Sequence, residues 1–210
     1  MTVPADYLRD PAEIYRASFA AIDAAAPIGD LPAPIRPVAR RLVHATGNPD
    51  LLENLVWSDG AADATASALK TGAPVLVDAD MVAAGIVRDR LPASNDVICT
   101  LRLSGVAGAA QRLGTTRSAA AVDYWQPWLE GAVVAFGNAP TALFHLLERL
   151  AEGWPKPAVV LGFPVGFIGA AESKDALIDA DVVPYITLRG RLGGSAMAAA
   201  AVNALAGESP

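Results

Sequence analysis

Short apolar runs recur along the chain, and each is followed by a small polar loop and then by a helical pattern. Five of them are four or five residues long and consist mainly of Val, Ile, Leu and Ala: 74–77, 97–101, 132–136, 158–161 and 185–188. Apolar runs without polar alternation are typical of strands that are buried on both faces. Helical patterns lie between them, for example at 118–126, 141–150 and 171–178. This alternation predicts an α/β fold of three layers, with a mostly parallel sheet of about five strands.

Local signals mark the ends of several helices. Asp10–Glu13 combines an N-cap acceptor, a proline at the first helical position and a glutamate at the third. Asn48–Pro49 repeats the cap and the proline, and Gly47 and Gly72 are suited to end the helices before them. These signals predict where the helices begin and end without any knowledge of the tertiary structure.

Length and charge limit the classes of function. A chain of 210 residues favours one domain over residues 1–210. The net charge of −6 and the pI near 4.8 exclude a basic face for nucleic acid. The first residues lack the pattern of a signal peptide, and no apolar stretch reaches the length of a membrane span. We therefore expect a cytoplasmic protein that binds neither nucleic acid nor membranes.

The predicted sheet also predicts where a ligand binds. In parallel α/β sheets, ligands bind beyond the carboxyl ends of the strands. The loops that follow the five runs are 78–80, 102–104, 137–140, 162–166 and 189–195. Glycine is frequent in them and lets the backbone approach a ligand closely. Together they predict a cleft that is lined with backbone amides and a few arginines.

Only two histidines are available for acid–base chemistry. His44 lies near the end of a helix and shares one helical stripe with Arg40 and Arg41. The residues alone favour a solvated basic face, and the alternative is a proton donor. Helix carbonyls favour the imidazolium form, whereas neighbouring arginines disfavour it. His145 lies inside an apolar helix and is interpreted as structural.

Residues 114–118 open a helix with hydroxyl groups and one arginine. Thr116 and Arg117, together with free backbone N–H groups, are suited to bind a carboxylate. The alternative is that Thr115 or Thr116 is only the N-cap of that helix.

Several other chemistries lack the residues they need. The single Cys99 is interpreted as a small buried hydrophobic residue, and Asp78 and Asp80 alone are too few to hold a metal. The motifs of phosphate-binding loops, dinucleotide-binding loops and hydrolase nucleophile elbows are absent. The residues by themselves therefore predict a cleft with one promising histidine and no particular reaction.

Eight segments, taken in order, carry a resemblance to one known family: 7–19, 41–47, 69–74, 95–100, 116–120, 137–143, 162–175 and 189–197. They resemble the precorrin-8X methylmutases of corrin-ring (vitamin B12) biosynthesis, and the last two segments match best. The resemblance extends from about Tyr7 to Ala206. Thr46 and Thr115 depart from the family pattern, in which Cys and Asn are common at these positions.

The resemblance implies a fold and a reaction. The implied fold is a flavodoxin-like α/β/α sandwich, in a homodimer without cofactor or metal. The implied reaction converts precorrin-8X to hydrogenobyrinic acid when the methyl group at C11 migrates to C12. This step is regarded as a [1,5]-sigmatropic shift that protonation of the macrocycle assists.

The resemblance also implies roles for particular residues. His44 matches the proton-donating histidine of the family, and Ser18 and Arg117 match positions associated with the substrate. Thr116, Arg189 and Arg191 complete the predicted substrate-binding set. Two further predictions concern the cleft: Lys174 as an additional cation for the carboxylates, and an apolar wall for the flat macrocycle formed by Phe163, Pro164, Val165 and Phe167. An ordinary loop packed on the core is the alternative for that wall.

Three alternatives stay open. The protein could be a tetrapyrrole carrier that binds the product and passes it to the next pathway enzyme without turnover. It could act on cobalt-precorrin-8 rather than on the metal-free substrate, although overall likeness favours the metal-free one. It could also be an unrelated flavodoxin-like module for a flavin or nucleotide, which the missing phosphate-binding loop disfavours.

Overall fold

The computed structural model describes residues 7–207 and contains one six-stranded sheet. Its strands are β1 (Leu55–Trp57), β2 (Val75–Val77), β3 (Val97–Cys99), β4 (Val133–Phe136), β5 (Val159–Gly162) and β6 (Tyr185–Leu188). Their spatial order is β1-β6-β5-β4-β2-β3. The five strands β2 to β6 are parallel, and β1 pairs antiparallel with β6 at one edge.

Helices cover both faces of this sheet. They are α1 (Pro11–Ala25), α2 (Arg36–Thr46), α3 (Ala61–Lys70), α4 (Asp80–Gly85), α5 (Val106–Leu113), α6 (Arg117–Val122), α7 (Pro140–Ala151), α8 (Ala170–Ala180) and α9 (Ser195–Leu205). Helices α2, α3, α4 and α9 pack on one face, and α1 packs on α2. Helices α7 and α8 pack on the other face, where α5 and α6 extend the layer. The predicted three-layer α/β/α architecture is confirmed.

The apolar runs form strands because there is a hydrophobic core on each face of the sheet, so side chains that point to either face are buried. Val75 and Val77 of β2 face the core beneath α3 and α9, whereas Leu76 faces the core beneath α7. Strands β4, β5 and β6 are likewise fully buried. Burial on both faces removes the polar alternation of a half-exposed strand. All five predicted strands are confirmed, although β3 ends two residues earlier than expected.

The sequence prediction missed β1. Leu55–Trp57 lies at an edge of the sheet between the polar residues Asn54 and Ser58, so its apolar run has only three residues, against four or five in the runs that were predicted as strands. Its pairing with Leu188, Thr187 and Ile186 of β6 depends on residues more than 120 positions away. No local signal could have predicted it.

The predicted helix ends are confirmed. The Asp10 carboxylate accepts a hydrogen bond from the Glu13 amide at 2.7 Å and caps α1. Gly47 ends α2 with a φ of 64°, a conformation that favours glycine. Asn48 caps the 3₁₀ segment Pro49–Asn54, and Gly72 follows the last turn of α3. Within residues 7–207, no helix combines the length and apolarity that a bilayer crossing requires.

The strand order locates the ligand-binding edge. Apart from β1, the parallel strands follow the order 3-2-4-5-6, which is the 2-1-3-4-5 order of flavodoxin-like folds. The direction of the chain across the sheet reverses between β2 and β4. The crevice at the carboxyl ends of these two strands is therefore where this fold ordinarily binds a ligand.

Candidate active site

The crevice between β2 and β4 is filled by a carboxylate of the protein itself. Asp78 follows β2 and is 3% exposed. Its Oδ1 accepts a hydrogen bond from the Gly137 amide at 2.8 Å, and its Oδ2 accepts from the amides of Asn138 and Ala139 at 2.9 and 2.7 Å. Burial raises the pKa of this carboxyl group, and the three N–H donors counteract that effect. The amides that would bind a nucleotide phosphate are thus already occupied, which argues against the flavin or nucleotide module.

The neighbouring acidic and thiol groups are also structural. Asp80 begins α4 and forms an ion pair with the exposed Arg102. Cys99 is half-buried on β3, and burial raises the pKa of its thiol to about 11, so the thiol is protonated at neutral pH. Among the described residues, no group of three or more His, Cys, Asp or Glu side chains could hold a metal ion.

His44 is held by two neighbours on α1. Its Nδ1 lies 3.1 Å from the Ser18 hydroxyl oxygen. The Phe19 ring stacks on the imidazole with a centroid distance of 5.3 Å and an interplanar angle of 22°. His44 is itself exposed at the last turn of α2, and its Nε2 forms no hydrogen bond within residues 7–207. The geometry leaves one ring nitrogen fixed and the other free to meet a ligand.

Two cavities lie along α1 and α2, and His44 lines the smaller of them. One of about 260 Å³ is lined by Ser18, His44 and apolar residues of α1 and α2. The other, of about 390 Å³, is lined by cationic and aromatic residues: Tyr15, Arg16, Phe19, Arg40 and Arg41, with Asp23, Pro37, Ala204 and Gly207. In the second cavity, Arg40 forms a two-bond ion pair with Asp23, and Arg41 donates to the Tyr15 hydroxyl. Arg40 and Arg41 are therefore engaged in contacts rather than free in solvent.

Thr116 and Arg117 lie where α6 begins. The Thr116 hydroxyl accepts from the Ala119 amide at 3.1 Å, so Thr116 is the N-cap, as one of the two alternatives predicts. The same hydroxyl lies 2.8 Å from that of Thr141 at the start of α7. Arg117 is exposed and forms no ion pair with any residue between 7 and 207. A structural cap and a free cation thus lie side by side.

Arg189 and Arg191 lie in the loop that joins β6 to α9. Arg189 forms an ion pair with Asp175 at 2.8 Å. The Arg191 guanidinium lies 5.3 Å from the centre of the Phe167 ring. Both arginines are exposed at the carboxyl edge of the sheet, where the sequence predicts carboxylate binding.

The predicted apolar wall is wrong in part. Phe163 and Pro164 are buried, because they lie directly beyond β5 against the loop that follows β6, and Phe163 belongs to the core. Val165 is 44% exposed and Phe167 is 85% exposed. Ile168, which the sequence prediction omitted, is 91% exposed. The exposed apolar residues of the loop after β5 are therefore Val165, Phe167 and Ile168.

The contacts of His145 agree with its structural interpretation. It is buried, its Nε2 lies 2.7 Å from an Asp123 oxygen, and Arg149 donates to the same carboxylate at 3.0 Å. This cluster ties α7 to the segment after α6. Asp123 lies 22 positions away, so sequence inspection did not identify it as a partner.

The predicted site residues form three separate groups. Ser18 and His44 are together, Thr116 and Arg117 are together, and Arg189 and Arg191 share a loop. No hydrogen bond or ion pair within residues 7–207 joins one group to another. The first group lies with the helices on one face of the sheet and the second with those on the other.

Comparisons with known proteins agree with this architecture. The family model described as precorrin-8X methylmutase matches residues 13–208. The precorrin-8X methylmutase of Pseudomonas aeruginosa is 57% identical over 97% of this chain and 98% of its own length. The cobalt-precorrin-8 methylmutase of Salmonella typhimurium is 42% identical over 80% of this chain and 79% of its own. The solved structure of a precorrin-8X methylmutase from Thermus thermophilus has a TM-score of 0.85 and 40% identity, covering 93% of this chain and 94% of that one. The family model and these near full-length likenesses show that the chain belongs to the precorrin-8X methylmutase family.

Proposed function

We propose that this protein isomerises precorrin-8X to hydrogenobyrinic acid by moving the methyl group from C11 to C12, with His44 as the proton donor. The observation that supports this role is the fixed imidazole: Ser18 holds Nδ1, Phe19 stacks on the ring, and the exposed His44 side chain lines a cavity of about 260 Å³. In a member of a methylmutase family, this is the group best suited to general-acid catalysis.

The reaction needs little from the protein beyond a proton and a fixed geometry. One C–C bond breaks at C11 and one forms at C12, so no atoms are gained or lost. A proton from His44 Nε2 to a ring nitrogen makes the π-system more electrophilic and favours migration, and it returns to His44 afterwards. General-acid assistance of this kind contributes about 10²–10⁴-fold to the rate.

The Ser18 hydroxyl supports both protonation states of His44. When the imidazole is protonated, Nδ1–H donates to the Ser18 oxygen. After the Nε2 proton has passed to the substrate, the neutral imidazole keeps its Nδ1 proton, so Nδ1–H still donates to the same oxygen. The 3.1 Å contact can therefore persist while the proton is transferred.

The substrate carries many carboxylates, so an acidic protein must place cations locally. We assign this role to Arg117, Arg189 and Arg191 at the carboxyl edge, with Thr116 beside them. The exposed side chains of Phe167 and Ile168 offer the apolar surface for the face of the macrocycle.

We assign the metal-free substrate in preference to the cobalt-containing one. The P. aeruginosa relative named for precorrin-8X shares 57% identity with nearly the whole chain, against 42% for the S. typhimurium relative named for cobalt-precorrin-8. The homodimer, the cytoplasmic location and transfer of the product to the next pathway enzyme belong to the same proposal.

The test is a visible-absorption time course with precorrin-8X, run in parallel with cobalt-precorrin-8. Conversion to hydrogenobyrinic acid without added cofactor is the expected result for the wild-type protein. His44→Ala and His44→Gln are each expected to slow conversion by about 10²–10⁴-fold, because neither side chain can donate the proton. His44→Gln tests this most sharply, since its amide can still contact Ser18.

The second histidine provides the control. His145→Gln is expected to lower thermal stability, because it disturbs the contacts with Asp123 and Arg149, while the folded protein keeps its turnover. A His44→Ala protein that converts precorrin-8X at the wild-type rate would contradict the role of His44 as the proton donor. Binding of substrate by the wild type without conversion would identify the tetrapyrrole carrier instead.

A further inference from the structure

Helix α8 presents two adjacent charged residues to the loop that carries Arg189 and Arg191. Lys174 was predicted as a cation for the substrate carboxylates, which is wrong, because it is completely buried and its Nζ donates a hydrogen bond to the Leu192 carbonyl oxygen. Asp175, the next residue, accepts from the Arg189 guanidinium at 2.8 Å. One turn of α8 thus contacts the loop at its first residue, Arg189, and again at Leu192.

Backbone contacts hold the same loop from the other side. The Gly194 amide donates to the Phe163 carbonyl at 2.8 Å, and the Gly166 amide donates to the Arg191 carbonyl at 3.4 Å. A Cβ atom on Gly193 would lie 2.3 Å from the Phe163 oxygen and 2.4 Å from the Pro164 oxygen. Only glycine fits there, so the loop after β6 lies directly on the loop after β5.

Packing alone does not account for a lysine at this position. A buried ammonium group loses its hydration, and a Met or Leu of similar size would fill the same space without that cost. Lys174 forms no salt bridge within the described part of the chain, and its hydrogen bond goes to a neutral carbonyl group. The hydrogen bond of Lys174 goes to Leu192 in the loop after β6. A function of the lysine is therefore to be sought in its effect on that loop.

We propose that Lys174 and Asp175 are positioning residues that hold the 189–194 loop so that Arg189 and Arg191 face the carboxylates of the substrate. This inference rests on the proposed function. A loop that is ordered before binding loses less conformational entropy when the substrate arrives. Because the proton donor lies elsewhere, on α2, the effect is on substrate binding rather than on the chemical step.

The kinetic test uses Lys174→Met, which keeps the length and apolar character of the side chain. We expect KM for precorrin-8X to rise about tenfold, the equivalent of about 1.4 kcal/mol, with kcat within twofold of wild type. Asp175→Asn is expected to raise KM in the same direction, because it weakens the hold on Arg189. The matched control is Lys156→Met, which removes the same charge from an exposed site at the opposite end of β5 and is expected to change neither constant.

A second readout does not require the substrate. Trypsin cleaves after Arg189 and Arg191 only when the loop can leave its place, so Lys174→Met is expected to be cut there about tenfold faster than wild type or Lys156→Met. The inference is overturned if the cleavage rates match, if KM is unchanged, or if kcat falls while KM stays constant. A wild-type protein that does not convert precorrin-8X would overturn the proposed function, while the trypsin comparison would still decide whether α8 anchors the loop.

Discussion

At the scale of the residue, the buried ammonium group of Lys174 opposes folding, because burial removes its hydration. Burial lowers its pKa to about 8, from an ordinary value of 10.5. Between these two pH values the unfolded chain holds the proton and the folded chain has lost it. The unfolded state therefore binds more protons over this window, and stability rises with pH there.

This titration gives a prediction for stability. At pH 7, Lys174 is charged in both states, so its burial opposes folding and Lys174→Met is expected to be at least as stable as wild type. As the pH rises from 8 to 10.5, the wild type regains up to about 3 kcal/mol relative to the variant. Urea unfolding of both proteins at several pH values from 7 to 10.5 measures this difference. A difference that is independent of pH would contradict the assignment.

At the scale of the element, Asp78 connects the end of β2 to the start of α7. Its carboxylate accepts three backbone hydrogen bonds from Gly137, Asn138 and Ala139, just before the first residue of the helix. Thr141 in the first turn of α7 in turn contacts Thr116, the cap of α6. One buried side chain therefore fixes the position of two helix starts and, with them, of Arg117.

Replacement of Asp78 by asparagine is expected to destabilise the protein by about 2–4 kcal/mol, because the amide cannot accept all three hydrogen bonds and leaves a buried N–H group unpaired. The free energy of unfolding in urea measures the loss. Asp80→Asn is the matched control two residues later: its ion pair with Arg102 is exposed, so a much smaller loss is expected. Equal losses for the two variants would show that the buried network does not have this role.

At the scale of the whole molecule, the three groups of predicted site residues lie apart within one chain, so a single site that contains all of them needs a further element. Helix α1 buries none of its own residues, and Tyr15 on α1, like Phe167 and Ile168 beyond β5, is substantially exposed. Exposed apolar side chains of this size often mark an interaction surface. In the proposed homodimer, a second subunit that supplies Arg117 to the His44 of its partner would bring the separate groups together.

A mixed dimer tests this arrangement. His44→Ala and Arg117→Ala subunits, co-expressed with different tags and purified as the heterodimer, would contain one intact site of two if each site uses both subunits. We expect about half of the wild-type turnover from this heterodimer, although each variant homodimer is strongly impaired. An inactive heterodimer would show that His44 and Arg117 act within one subunit, and a monomer in sedimentation would exclude the dimer.

Sequence alone was sufficient for features that depend on neighbours along the chain. The five parallel strands were predictable because burial on both faces leaves a continuous apolar run, as in Val133–Phe136. The caps at Asp10 and Gly47 were predictable because they satisfy backbone groups within the same turn. The residues alone left two interpretations of His44 open and favoured a solvated surface, and the resemblance of whole segments favoured the proton donor instead.

Only the tertiary structure decided which distant residues meet. The contact between Ser18 and His44 joins residues 26 positions apart, and β1 pairs with a strand more than 120 positions away. The same is true of the burial of Phe163 and Lys174, which lie in segments whose polarity suggests a cleft rather than a core. Periodicity records which face of an element is covered, but it does not record what covers it. That depends on the order of the strands, which is set by the packing of the whole chain.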